Sequence, residues 1–454
     1  MQSMNPATGQ VLQDYPPIAL YDALARLDQA HAAWQDWRRA PYATRARVLV
    51  RLAELLRAQS AALARLATLE MGKPIAQAEA EVEKCAVACD WYAANGEAML
   101  ADEPVPSDAT RSLVRCEPLG IVLAVMPWNF PFWQAIRAAA PAILAGNGVA
   151  LKHAANVPGV ALAIERLWHE AGLPPALFCS LLLPADAVGA LIGHDAIAAV
   201  TLTGSEAAGR AVAAAAGAAL KKVVLELGGS DPFVVLAAAD VESVAAQALI
   251  ARIQNNGQSC IAAKRFIVEA PIAEAFEHSL TRRMRALTVG DPLARESDVG
   301  PLARADLVDE LHAQVSASVA LGARLTCGGE RLARGACFYA PTVLTHVTPG
   351  MPAFDEETFG PLAAITRARD PRHAIALANQ SRFGLGASVW SRDTAAAEAV
   401  SACLEAGAVF VNGIVKSDPR LPFGGIKASG HGRELAQDGL REFVNRKTVW
   451  IRED

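Results

Sequence analysis

A single thiol at the end of a polar loop is the first place in this chain where chemistry could happen. Gln254-Asn255-Asn256-Gly257-Gln258-Ser259-Cys260 lies between a helical pattern over residues 240–253 and an apolar strand pattern over 265–268. A cysteine in such a connection is partly exposed and open to activation, whereas one on an apolar face is inert packing. Its thiolate would add to an electrophilic carbon. The oxygen anion that forms then needs hydrogen-bond donors, and release of the product needs a base for water.

Residues suited to those roles sit at the ends of predicted strands. The strands cover 120–125, 149–151, 177–182, 198–202, 223–227 and 233–236, with helices over 133–144, 159–171, 185–192 and 206–216 between them. Apolar strands alternating with helices imply a mainly parallel sheet covered on both faces, whose ligands lie outside the carboxyl ends of the strands. Pro127-Trp128-Asn129, Lys152, Thr203-Gly204-Ser205 and Glu226-Leu227-Gly228-Gly229 all fall on that edge. Together they mark a crevice. Gly204-Ser205 opens a helix whose free N–H groups could hold a phosphate, although Ser205 by itself also reads as an ordinary N-cap. A lysine ending a strand, such as Lys152, is by itself equally compatible with a solvated side chain.

Other elements must carry this edge. Leucines at helical spacing, among them Leu49, Leu52, Leu56, Leu63 and Leu66, predict packing helices over 22–37 and 44–71, with a third over 75–98. Residues 102–117 alternate as strands outside the main sheet, and the tail over 443–451 alternates in the same way and could pair with 104–117. A second α/β unit begins near Pro232, with helices over 302–321 and 373–379.

With 454 residues, 52% of them hydrophobic, the chain exceeds one ordinary core and predicts two large domains. Its 42 Lys and Arg against 47 Asp and Glu leave no electrostatic footprint for nucleic acid or an anionic membrane. Small molecules are the expected partners. Neither a leader peptide nor an apolar run of spanning length is visible, which predicts a soluble, cytoplasmic protein. Eight cysteines without a Cys-x-x-Cys pair suit a reducing compartment and neither a disulfide scaffold nor zinc, and no His/Asp cluster has metal-ligand spacing.

Read in order, Pro127-Trp128-Asn129-Phe130-Pro131, Leu225-Glu226-Leu227-Gly228-Gly229, Gly257-Gln258-Ser259-Cys260, Glu356-Glu357-Thr358-Phe359-Gly360-Pro361 and Pro422-Phe423-Gly424-Gly425 resemble the signatures of the aldehyde dehydrogenase superfamily. Ser429-Gly430 and Gly432-Arg433-Glu434 extend the likeness almost to the end of the chain. The departure is at the start, where many members carry an extra strand segment before the Asn5-Pro6-Ala7-Thr8-Gly9 stretch. The resemblance implies two α/β domains with mainly parallel sheets, a Rossmann-like cofactor domain (1–101 and 119–229) and a catalytic domain (230–430). A small β oligomerisation element (102–118 and 431–454) would join a homodimer or homotetramer.

The family chemistry suits these residue types. Cys260 would form a hemithioacetal with an aldehyde, Asn129 and the Cys260 N–H would stabilise its oxyanion, and Glu226 would activate water to hydrolyse the thioester. Losing one oxyanion donor typically raises the barrier by about 3 kcal/mol. For NAD or NADP, the family implies Trp128 and Lys152 at the adenosine side. Gly204, Ser205 and Gly209 would lie near the pyrophosphate, Glu357 at the nicotinamide ribose and Phe359 at the ring, with Leu227 also in the cofactor crevice. NAD-selective relatives often place a glutamate where this chain has Ala155, so both cofactors stay open with a lean to NADP.

A narrower likeness, in Lys152-His153-Ala154-Ala155-Asn156-Val157 and Ser417-Asp418-Pro419-Arg420-Leu421-Pro422, is to the short succinate-semialdehyde dehydrogenase branch. It implies Arg137 as the fork for the distal carboxylate, with Trp133 and Ser417 as further contacts. Arg137 also has a purely structural reading as an ion-pair residue. One departure is Gln254, where some members have a second arginine. Glutarate semialdehyde or simple aliphatic aldehydes are the alternative substrates, and a cysteine hydrolase or a catalytically idle protein on the same fold are the readings from other classes.

Overall fold

The computed structural model describes residues 1–453. Two parallel sheets organise them. The first has six strands in the order Gly430–His431, Lys222–Glu226, Ile197–Thr203, Ile121–Met126, Gly148–His153 and Phe178–Ser180. All neighbours are parallel except the antiparallel Gly430–His431 edge. The order reverses direction between Ile121–Met126 and Ile197–Thr203. A switch point of this kind leaves a crevice at the carboxyl ends of those two strands, beneath the segments that start at Pro127 and Gly204.

The second sheet runs Arg324–Cys327, Thr342–Thr345, Leu362–Ala368, Arg265–Glu269, Pro232–Val235, Gly386–Trp390 and Ala408–Val411. Only Arg324–Cys327 is antiparallel. Strand Pro232–Val235, where the second α/β unit of the sequence begins, pairs with Arg265–Glu269 and Gly386–Trp390. Register Pro232↔Arg265 and Arg265↔Ala364 brings the amino ends of three strands side by side. The segments leading into them, at Gly229, Cys260 and Glu357, therefore share one edge.

Helices Leu20–Trp37, Tyr42–Ala58, Ser60–Met71 and Ile75–Leu100 share a hydrophobic core with the six-stranded sheet. The single helix predicted over 44–71 is two. Gln59 leaves helical geometry at φ −105°, ψ 10°, and its side chain bonds Arg166 and Glu170 on another helix. The bend keeps both halves on the core, burying Leu49, Leu52 and Leu56 before it and Leu63 after it. The helix predicted over 302–321 begins only at Ala305, because Gly300-Pro301 feeds it and Arg304 is extended. Asn5-Pro6-Ala7-Thr8-Gly9 lies in the connection of a hairpin of Gln2–Met4 with Val11–Asp14.

Val444–Ile451 pairs antiparallel with Arg111–Pro118 along its whole length, and Glu103–Pro104 adds a short third strand. The tail before it is not strand. Ala436–Glu442 is a helix, and Leu435 and Leu440 are fully buried in the first core, because apolar side chains there have a sheet face to cover. No helix among the described residues is long and apolar enough to cross a membrane.

Asn147 ties these parts together. Its Oδ1 accepts from the Leu119 and Gly120 N–H groups at 2.8 and 3.1 Å, and its Nδ2 donates to the Ala142 and Phe443 carbonyls at 3.1 and 2.9 Å. The side chain is fully buried, so its loss would take a partner from each of these backbone groups, of which the Ala142 carbonyl keeps the Asn147 N–H. Asn147→Ala should lower unfolding stability by about 3 kcal/mol, measured by urea denaturation. A loss below about 1 kcal/mol would show that water replaces these bonds.

Candidate active site

The carboxyl edge of the six-stranded sheet faces the amino edge of the seven-stranded sheet across a cleft of about 900 Å³. Trp128, Asn129, Gly204, Ser205, Leu227, Cys260, Glu357 and Phe359 line it. Residues more than 200 positions apart thus share one cavity. Glu226, Lys152, Ala155, Gly209, Arg137, Trp133 and Ser417 lie outside that lining.

Cys260 is half-buried, and its loop is held by side chains. Asn255 and Asn256 take left-handed geometry at φ 54° and 57°. This turns their amides inward, where Asn255 Nδ2 donates to the Asn129 and Gln258 carbonyls and Asn256 Nδ2 to those of Gly72 and Pro301. Gly257 has φ 75°, and a Cβ there would overlap the Gly360 carbonyl, so only glycine lets the two loops touch. Lys264 Nζ donates to the Ser259 and Cys260 carbonyls at 2.8 Å each and lies 3.5 Å from Glu357 Oε1. Neither Lys264 nor the two asparagines stood out in sequence. The left-handed asparagine pair before a glycine was the available signal.

Asn129 Nδ2 donates to the Gln258 carbonyl at 3.1 Å, which fixes its side chain beside the cysteine loop. Glu226 ends its strand 2% exposed, with neither carboxylate oxygen hydrogen-bonded. Burial and the neighbouring Glu434 carboxylate push its pKa well up, against the opposing pull of Arg137 and Arg433. The Cys260 thiol is likewise pushed up to about 12, by burial and by the carboxylates of Glu357 and Glu226, with Lys264 and Arg137 acting the other way. Glu226 therefore lies within electrostatic reach of the sulfur.

At the opposite wall, Trp128 and Phe359 meet edge to face with ring centres 5.8 Å apart. Ser205 Oγ accepts from the Ala208 N–H and caps helix Glu206–Ala218, whose amino end opens on the cleft. Gly209 serves packing, since a Cβ there would run into the Leu227 side chain at 2.6 Å. Glu357 Oε1 accepts from the Gly229 N–H at 3.0 Å. Lys152 is buried and its pKa is lowered by that burial, while Ala155 is exposed. The volume, the helix amino end and the aromatic pair fit a dinucleotide.

At the substrate end, Arg137 is 2% exposed and forms a buried ion pair through Nε with Glu434, a contact of the kind its structural reading implied. Its Nη2 donates to Thr203 Oγ1 at 3.3 Å, and the guanidinium lies 4.9 Å from the Phe423 ring centre. A buried arginine needs such a partner, and Glu434, nearly 300 residues away, could not be matched to it from the sequence. Trp133 and Ser417 do meet, through Trp133 Nε1 donating to Ser417 Oγ at 3.1 Å.

Residues 1–449 match the aldehyde dehydrogenase family. A probable succinate-semialdehyde dehydrogenase [NADP(+)] of Synechocystis sp. is 50% identical over 449 residues, 99% of each chain. The succinate semialdehyde dehydrogenase [NAD(P)+] of Escherichia coli strain K12 is 51% identical over 448 residues, 99% of this chain and 97% of that one. The crystal structure of a Streptococcus pyogenes succinic semialdehyde dehydrogenase in complex with NADP+ superposes with a TM-score of 0.97, at 35% identity and full coverage of both chains.

A raised thiol pKa leaves little thiolate at neutral pH in the protein without cofactor. Iodoacetamide labelling of Cys260, followed by peptide mass spectrometry, should accelerate with pH through pH 9 without levelling off. A plateau near pH 7 would mean that the cations outweigh burial and the carboxylates.

Proposed function

The chain belongs to the aldehyde dehydrogenase family, and from that premise we propose that it oxidises succinate semialdehyde to succinate with NAD or NADP. The observation that supports the chemistry is Cys260 and Asn129 together on the cleft wall, with buried Glu226 within electrostatic reach of the sulfur. The substrate assignment rests on relatives of about 50% identity bearing that name and on the polar contact of Trp133 with Ser417.

Cys260, once its thiol proton has passed to solvent, would bond the aldehyde carbon through Sγ, placing negative charge on the former carbonyl oxygen. Asn129 Nδ2, already directed at the loop, and the Cys260 N–H would receive that charge. The oxidised nicotinamide, when bound, supplies the acceptor for the hydride that leaves this carbon. An acyl group then remains on sulfur as a thioester. Glu226 would take a proton from water, the resulting hydroxide would add to the thioester, and the carbon–sulfur bond would break to give the acid and restore the thiol. A base acts in its ionised form, so the raised pKa of Glu226 moves the rise of turnover to higher pH.

Glu357 and Phe359 would hold the nicotinamide half, Ser205, Gly204 and Leu227 the middle of the dinucleotide, and Trp128 with Lys152 the adenosine side. Gly209 would act there through its packing on Leu227. With alanine at 155, no carboxylate opposes a 2′-phosphate near Lys152, which favours acceptance of NADP. Residues 1–101 and 119–229 are assigned to cofactor binding and 230–430 to catalysis. The free edge of Val444–Ile451 in its three-stranded sheet, with Trp450 47% exposed, supports assembly into a homodimer or homotetramer, in the cytoplasm.

Glu226→Gln should keep a rapid burst of reduced cofactor while steady-state turnover falls about 100-fold or more and loses its rise with pH. Unchanged steady-state turnover would remove Glu226 from the mechanism. With wild-type protein, succinate semialdehyde should exceed butyraldehyde, a neutral aldehyde of equal carbon number, by about 100-fold in kcat/KM, with NADP at least matching NAD. Equal efficiencies for the two aldehydes would sink the carboxylate reading.

A further inference from the structure

Helix Ile75–Leu100 runs past the amino end of helix Pro131–Leu144, and the polar groups between them are paired off in a definite way. Glu81 Oε1 accepts from the Phe132 and Trp133 N–H groups at 2.9 Å each, and its other oxygen pairs with the buried Lys73. That carboxylate is engaged. One turn along the second helix, Arg137 is neutralised by Glu434. Beyond Ser417, Asp418 is held by Arg420 through two side-chain contacts at 2.8 and 2.7 Å.

Lys84 remains. Its Nζ donates to Ser417 Oγ at 2.6 Å and lies 4.3 Å from the Trp133 ring centre. Among the described residues no carboxylate comes within ion-pair distance of it. An ammonium has three donors, and the contacts to Ser417 and the indole face leave capacity for an anion. Lys416 and Arg420, both exposed, share Asp418, so Lys84 is the cation here that has no carboxylate partner.

We propose that Lys84 is the specificity-determining cation of this enzyme, holding the distal carboxylate of the semialdehyde together with Ser417 and Trp133. The inference rests on the substrate reading above and replaces Arg137 as the source of unshared charge. Arg137 contributes by holding Thr203 and Glu434.

The environment adds a signature that a packing role would not produce. Burial first, and then repulsion from Arg137, lower the Lys84 pKa to about 8, with Lys73 acting the same way and Cys85 and Glu81 opposing. Cys85 is a buried thiol with its own pKa pushed far up, so it stays neutral through this range. Lys84 is then charged at pH 7 and loses its proton as pH rises through about 8. Affinity for a carboxylate falls with it.

The test compares succinate semialdehyde with butyraldehyde, in wild type, Lys84→Met and Lys84→Arg, from pH 6.5 to 9.5. The kcat/KM ratio of the acidic to the neutral aldehyde should fall about 100-fold in Lys84→Met, through KM. It should be restored in large part by Lys84→Arg. In wild type the ratio should decline above pH 8, and in Lys84→Arg it should stay level, because a guanidinium does not titrate there. Cooperative urea unfolding of both variants separates a folding defect from a lost contact. A ratio preserved in Lys84→Met overturns the role of Lys84 and leaves the substrate reading standing; a wild-type ratio near one overturns both.

Discussion

The carbonyl groups of Ser259, Cys260 and Ala262 all accept from one ammonium, that of Lys264, which is 1% exposed. A buried cation persists only where enough acceptors replace water, so these three carbonyls and the nearby Glu357 are held in mutual register by the need to satisfy it. Arg252 does the same for the Gly257 carbonyl at 2.6 Å. The loop carrying the thiol is thus fixed by side chains from the strand after it and the helix before it. Because Glu357 reaches the same ammonium, the position of the sulfur and that of a cleft-wall carboxylate are physically coupled.

Charge behind the loop follows a related logic. Burial and the nearby Glu434 carboxylate hold the Glu226 pKa above the ordinary carboxylate value, and Arg137 and Arg433 compensate only in part. A neutral carboxyl group tolerates a buried position without hydrogen bonds far better than a carboxylate does. The same pairing gives the buried Arg137 its counter-charge. Elsewhere along the wall Glu81 serves as both the partner of Lys73 and the acceptor for the first turn of helix Pro131–Leu144. These pairings leave Lys84 and the ring of Trp133 as the unshared features at that end.

The sheet topology explains how loops so distant in sequence share a cleft. One sheet offers its carboxyl edge at the switch between Ile121–Met126 and Ile197–Thr203, and the other its amino edge. Gly228 and Gly229 cross directly from the first sheet to the second, and Leu227 donates its N–H to the Ser429 carbonyl at 2.9 Å, which pins the crossing. Gly257 provides the second junction by its contact with Gly360.

Local pattern determined a great deal. Strand–helix alternation and polar residues at strand ends made the parallel sheets and the edge bearing Asn129, Gly204 and Glu226 legible, since hydrophobic periodicity and turn chemistry act over a few residues. The order of short motifs identified the family for the same reason. Tertiary structure alone decided which charges meet: Arg137 with Glu434, Lys264 with the cysteine loop, Lys84 with Ser417 across 333 positions. It also decided the burial of the helix Ala436–Glu442. Burial and pairing depend on what the folded chain brings alongside a residue, and no spacing within the sequence encodes that neighbour.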